Sequence, residues 1–206
     1  MSEARTEVLA RIREALGPAP EVPDVPRDYH LAGTAPEDDP VARFCERVAE
    51  YKATVRRVPE SQLEEALADV CRERGTRRLA AAPGVSWEVA GTERVHALEP
   101  RALDAVDGVL TGCALAVAET GTIVLDSSPV CGPRALTLVP DHHVCVVYAH
   151  QVVPGVPDAV TALAEAAREA RPITLVSGPS ATSDIELKRV EGVHGPRRLD
   201  VVVVDG

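Results

Sequence analysis

Residues 112–140 read GCALAVAETGTIVLDSSPVCGPRALTLVP. Two apolar runs, Ala114–Ala118 and Thr122–Leu125, are joined by Glu119-Thr120-Gly121. Both runs favour strand, and a glycine at the join admits positive φ without a Cβ clash. The pattern predicts a β-hairpin or a tight strand-turn-strand corner. It sets one carboxylate and two hydroxyls, those of Glu119, Thr120 and Thr122, at a bend between buried strands. Loops held by rigid scaffolds are where chemistry concentrates. On this segment alone the economical reading is still a turn that tolerates polar residues.

Working outward, helical and strand patterns alternate. Val41–Tyr51 places Val41, Phe44, Val48 and Tyr51 on one helical face, and Ala53–Val58 reads as a strand. Pro59 and Ser61 open a helix that carries Leu63, Leu67 and Val70 and ends at Gly75. Arg78–Ala82 is a short buried strand; Ser86–Ala90 suggests a helical turn, Val95–Leu98 a strand and Ala102–Ala105 a second turn. Beyond the hairpin, His143–Ala149 is a strand, Asp158–Ala170 a continuous helix, and Ile173–Val176 and Leu199–Val203 further strands. The expected class is α/β, a mainly parallel sheet flanked by helices with one hairpin-like unit. Ser2–Leu16 has an apolar stripe of Val8, Leu9, Ile12 and Leu16. Pro18, Pro20, Pro23, Pro26, Pro36 and Pro40 then mark an extended segment. The expected division is an N-terminal helix and linker, residues 1–40, ahead of a domain at 41–206. The linker is either a mobile tail or an oligomerisation arm, so homo-oligomers stay open.

A formal charge of −10 and 2% aromatic residues argue against nucleic-acid binding by bulk charge or base stacking. All basic residues but Lys52 and Lys188 are arginine, which weakens any single arginine as a sign of anion recognition. Cys45, Cys71, Cys113, Cys131 and Cys145 form no CxxC and are an odd set, which fits buried thiols in a reducing cytoplasm. No membrane-spanning run is evident. Asp141-His142-His143 offers metal or acid–base chemistry, but no further ligands follow at a useful spacing, and one histidine of the pair is expected to point inward. Arg134, after Gly132-Pro133, has a fork suited to a carboxylate. Cys131 has no evident base beside it and reads as an inert or oxidisable thiol. A second polar loop, Ser177–Pro196, follows a strand. Ser177, Gly178, Ser180 and Thr182 can donate to a phosphate or carboxylate, while Ser183–Glu186 fits a capping box for a short helix over 184–190. Asp184 and Glu186 oppose a strongly anionic ligand, and His194 is placed to reach the same crevice.

TGCALAVAETGTIVL (111–125), RALTLVPDHHVCVV (134–147) and SGPSATSDIELKRVEGVHGPRRL (177–199) together resemble the lactate utilisation protein C family, the LUD domain. The match is strong over about residues 80–206. The resemblance implies the fold shared by glucosamine-6-phosphate deaminase, ribose-5-phosphate isomerase and CoA transferases. It implies a role in oxidising L-lactate to pyruvate beside two partners, an iron–sulfur protein and a cysteine-rich protein, in the cytoplasm that the cysteines already suggest. This chain lacks ferredoxin-like cysteine runs and is similar to the member that binds no cofactor or metal itself. Carried over by motif, the crevice comprises Glu119, Thr120, Gly121, Thr122, Ser177, Gly178, Ser180, Thr182, Asp184 and Glu186, with a small carboxylate or phosphorylated ligand. Two other readings remain: a stand-alone isomerase or CoA-transferase-type enzyme using Glu119 as base or acyl acceptor, and a non-catalytic assembly or regulatory partner.

Overall fold

The computed structural model describes residues 3–18, 23–33, 39–96, 98–179 and 195–205. The expected capping box at Ser183–Glu186, the helix over 184–190, and Ser180, Thr182, Asp184, Glu186 and His194 lie outside them. The chain forms two compact units, residues 1–30 and 31–206. The smaller contains α1 (Glu3–Leu16), with an Arg11–Glu7 ion pair one turn apart.

In the larger unit the order is α2 (Pro40–Glu50), β1 (Thr54–Pro59), α3 (Leu63–Arg74), β2 (Arg78–Ala81), β3 (Glu93–Val95), α4 (Pro100–Leu103), β4 (Gly108–Thr111), β5 (Leu115–Val117) and β6 (Thr122–Leu125). β7 (His142–Tyr148), β8 (Val152–Val153), α5 (Val156–Ala162), α6 (Ala164–Arg168), β9 (Thr174–Val176) and β10 (Arg198–Asp205) follow. Six strands form a parallel sheet in the order β1-β10-β7-β4-β2-β3. Four form a second sheet, β8-β5-β6-β9, in which β6 runs antiparallel to both neighbours and β8 parallel to β5.

The two-residue period of β7 and β10 builds the layers. Val144, Val146, Val202 and Val204 meet Leu63, Leu67 and Val70 of α3 and Leu103 of α4. Their neighbours Cys145, Val147, Val201 and Val203 face the other way, onto Phe44 and Val48 of α2 and Ala116 and Ile123 of the second sheet. The far side of that sheet, Leu115, Val117 and Val124, packs on Ala159 and Leu163. A strand covered on both faces needs apolar residues at every position, which is why 201–204 reads VVVV. Each fully buried valine contributes about 1.5–3 kcal/mol relative to exposure.

Several elements differ from the sequence reading. The helix expected over 158–170 is two helices broken at Leu163. The Thr161 hydroxyl donates to the Pro157 carbonyl at 3.0 Å, a back-bond that bends helices. Ser86–Ala90 is not helical: the Arg94 guanidinium takes the Val85 and Trp87 carbonyls that a helical turn would use. The strand expected at 95–98 is β3, earlier in the chain. Both β4 and β8 were absent from that reading. Among the described residues no helix is long and apolar enough to cross a membrane.

Both histidines of the pair point inward, not one. His142 places Nδ1 2.7 Å from the Thr76 hydroxyl and Nε2 3.0 Å from Asp200, and Arg74 donates to both Asp200 oxygens. His143 Nε2 lies 2.8 Å from the Thr111 hydroxyl. These bonds satisfy polar atoms that strand alternation buries on opposite faces.

Candidate functional site

β5 and β6 form the hairpin anticipated from sequence, with Leu115 opposite Val124 and Val117 opposite Thr122. The chain after β8 holds its turn: Ala118 donates to the Val153 carbonyl and Glu119 to the Pro154 carbonyl. Gly121 has φ +62°, and a Cβ there would lie 2.6 Å from Arg47 C and Val48 N, because α2 crosses the turn. Glycine is therefore required twice, for its backbone conformation and for the close approach of a helix.

β9 brings the second loop to the same end of the sheet, with Ile123 opposite Val176. Three hydroxyls join in a row: Thr120 Oγ1 is 2.7 Å from Thr122 Oγ1, which is 2.7 Å from Ser177 Oγ. Gly178 has φ +92°, and a Cβ there would lie 2.5 Å from Tyr51 Cβ. The last turn of α2 thus seats a glycine from each motif, Gly121 at Arg47–Val48 and Gly178 at Tyr51. The sequence reading missed this role of α2. The signal was the coincidence of a strongly amphipathic helix with glycines at both motif turns.

Glu119 is half-buried at the same turn, and a Cβ on Gly155 would come within 3.0 Å of its Oε2. Beside it, the Asp158 carboxylate accepts the Gly33 and Gly155 N–H groups at 2.7 and 3.1 Å. Residues 31–33 are thereby fastened to the rim of the turn, which the sequence did not disclose.

Thr120, Gly121, Thr122, Ser177 and Gly178 are brought together, with Glu119 on the same turn. Arg134 stands elsewhere. Its guanidinium donates to the Thr137 hydroxyl at 3.2 Å, and its groove is shared with Pro83, Ser127, Gly132 and Pro172. Burial pushes its pKa down. Its loop covers the C-terminal ends of β2 and β4: Gly84 donates to the Pro129 carbonyl and Gly112 to the Val130 carbonyl. Burial pushes the Cys131 thiol up to about 12, so it stays protonated at neutral pH and is no nucleophile. Among the described residues no group of three His, Cys, Asp or Glu side chains is placed to hold a metal ion.

The model of the LUD domain matches residues 99–204, which include the whole hairpin and the strands on either side of the second loop. The chain belongs to the LUD-domain family. It is 41% identical to the lactate utilization protein C of Deinococcus radiodurans over 98% of its own length and 96% of that protein's. It is 28% identical to the lactate utilization protein C of an Exiguobacterium species, over 97% and 95% of the two chains. Among solved structures it resembles a DUF162 family protein from Deinococcus radiodurans, with a TM-score of 0.70 and 38% identity over 80% of this chain and 96% of that one. The likeness extends to the mainly parallel sheet flanked by helices, so the α/β class expected from sequence holds.

Proposed function

We propose that this LUD-domain protein acts in lactate utilisation as a cytoplasmic subunit of a complex that oxidises L-lactate to pyruvate. Iron–sulfur clusters sit on an iron–sulfur and a cysteine-rich partner, and this chain contributes a ligand crevice. The naming of its relatives supports the general role. The observation that carries the crevice is the Thr122–Ser177 hydroxyl contact, which joins the two motif loops although they lie 55 residues apart in sequence.

Chained hydroxyls reorient together, so a row of three can present a donor or an acceptor to whatever binds at its end. A half-buried carboxylate on the same turn adds a group able to hold or move a proton. The ligand class that suits this set is a small carboxylate or a phosphorylated molecule, and Glu119 is the residue to test. In the reconstituted three-protein system, Glu119→Gln should leave the melting temperature of this chain unchanged and abolish most lactate-dependent dye reduction. A lowered melting temperature with full dye reduction would make Glu119 a structural acceptor and defeat the reading.

A further inference from the structure

The segment ahead of α2 reads from sequence as a linker, yet Gly33 within it is seated against the candidate site. Gly33 lies back to back with Gly155, the residue before α5. A Cβ on Gly33 would come within 2.4 Å of Gly155 Cα and N, and one on Gly155 within 2.4 Å of Gly33 Cα. Gly155 is extended, at φ −145°, and neither glycine is left-handed. The contact itself, not the backbone conformation, therefore requires glycine at both positions. The point where the Gly155 Cβ would stand is also 3.0 Å from Glu119 Oε2. Gly33 and the Glu119 carboxylate thus face one another across a space that does not admit a methyl group.

One oxygen holds this arrangement. Asp158 Oδ2 accepts the Gly33 N–H at 2.7 Å and the Gly155 N–H at 3.1 Å. Among the described residues, the first of these is the one hydrogen bond made by residues 31–33. Leu31 is 85% exposed and Ala32 is exposed beside it, so no apolar burial adds to that bond. Segments held by so few contacts open locally, and the lids of binding sites are drawn from them. When Gly33 leaves, its N–H turns to water while Asp158 keeps the Gly155 N–H, so the start of α5 stays capped. Release therefore gives up one charge-assisted hydrogen bond and leaves the rest of the fold as it was. What it uncovers is Glu119 Oε2.

We propose that residues 31–33 are the latch of the Glu119 crevice and Asp158 its catch. Seated, Gly33 shuts off Glu119 Oε2; lifted, it admits the ligand. The latch rests on the crevice reading given above and adds to it the control of access. Closure of this kind keeps bulk water from a carboxylate that holds or moves a proton.

Carbodiimide coupling of glycine ethyl ester to the full chain, followed by peptide mass spectrometry, measures access to Glu119. In wild type Glu119 should couple more slowly than the exposed Glu165. Gly33→Pro deletes the N–H that Asp158 holds and puts a ring where no Cβ fits, while sparing the bond between Asp158 and Gly155. It should speed coupling of Glu119 by about tenfold or more, the shift expected from losing one charge-assisted hydrogen bond. Asp200, 2% exposed, should stay uncoupled in both proteins. By NMR of the wild type, the Gly33 amide should exchange about a hundredfold faster than that of Ala118, which is bonded to the Val153 carbonyl in the same turn. Equal Glu119 rates in wild type and Gly33→Pro would mean that the segment covers nothing. Equal protection of Gly33 and Ala118 would mean that it lifts only on unfolding. Either result overturns the proposal. If Asp200 couples in Gly33→Pro, the variant has unfolded and the exchange comparison decides alone. Dye reduction by Glu119→Gln tests the crevice and not the latch, so the two readings can fail separately.

Discussion

Gly75 and Gly121 have nearly the same backbone, φ +71° and +62°, in opposite surroundings. A Cβ on Gly75 meets nothing within 4 Å, whereas one on Gly121 strikes the backbone of α2. Gly75→Ala should therefore cost only the left-handed conformation, about 1–2 kcal/mol. Gly121→Ala must also displace a helix and should cost clearly more. At roughly 2–4 °C per kcal/mol for a domain this size, thermal melts separate the two, and equal losses would disprove the packing role of α2. Asp200 gives a pH-dependent counterpart. Burial raises its pKa, but hydrogen bonds from His142 and Arg74 outweigh that and hold it below the usual value. A carboxyl with a depressed folded-state pKa contributes stability above its unfolded pKa of about 3.9, and that contribution is lost as pH falls through the folded value. Asp200→Asn should cost about 1–3 kcal/mol at neutral pH by weakening the charge-assisted hydrogen bonds from His142 and Arg74, while the partly exposed Arg74 keeps the Thr54 hydroxyl. The variant should also show a shallower loss of stability below about pH 4, measured by urea melts across pH. That His142 and His143 are both buried was only half legible in sequence. Alternation says that neighbours face opposite ways, but not that both faces of β7 are covered.

At the scale of elements, the hairpin, α2, α3 and the long strands were legible because each carries an apolar period with a glycine or proline at its end. What escaped was short or was settled by distant contacts. β4 is four residues, all buried, and Gly108 at its start reads as a turn. β8 is two residues that exist as a strand only because β5 is beside them. The break at Leu163, beside the Thr161 hydroxyl's bond to the Pro157 carbonyl, leaves the apolar period uninterrupted, so periodicity does not register it. α2 is the element on which the candidate site depends, and Asp39 caps it by accepting the Val41 and Ala42 N–H groups. Its other oxygen accepts from Arg57 at 3.0 Å. Asp39→Ala should lower the melting temperature, and Asp39→Asn, which retains a capping oxygen, should lower it less. Equal losses would assign the effect to the Arg57 contact rather than the cap.

At the scale of the whole molecule, the sequence showed one sheet with a hairpin attached, and the protein has two sheets stacked through a shared core. The second sheet was hidden because β8 and β9 join the β5–β6 hairpin from later in the chain and none of the four strands exceeds four residues. The meeting of the two motif loops was foreseeable as a class property of polar turns at strand ends. Which groups would touch was not, since that depends on the register of β6 against β9. The division of the chain leads to a sharper prediction. The larger unit starts at Leu31, and the Gly33 N–H on Asp158 fastens its first residues. Arg27 lies upstream, exposed, after Pro26. Brief trypsin treatment should cut after Arg27 and leave a fragment beginning at Asp28 that melts at the temperature of the full chain. The reason is that the contacts of the β-sheets, the three apolar clusters and the Gly33 anchor all fall within residues 31–206. Added to the two partner proteins, the fragment then separates two roles of the first thirty residues. Full lactate-dependent dye reduction would make them dispensable to the complex, and loss of reduction with an unchanged melt would make α1 the docking element. A fragment that melts well below the full chain would show instead that residues 1–30 stabilise the larger unit.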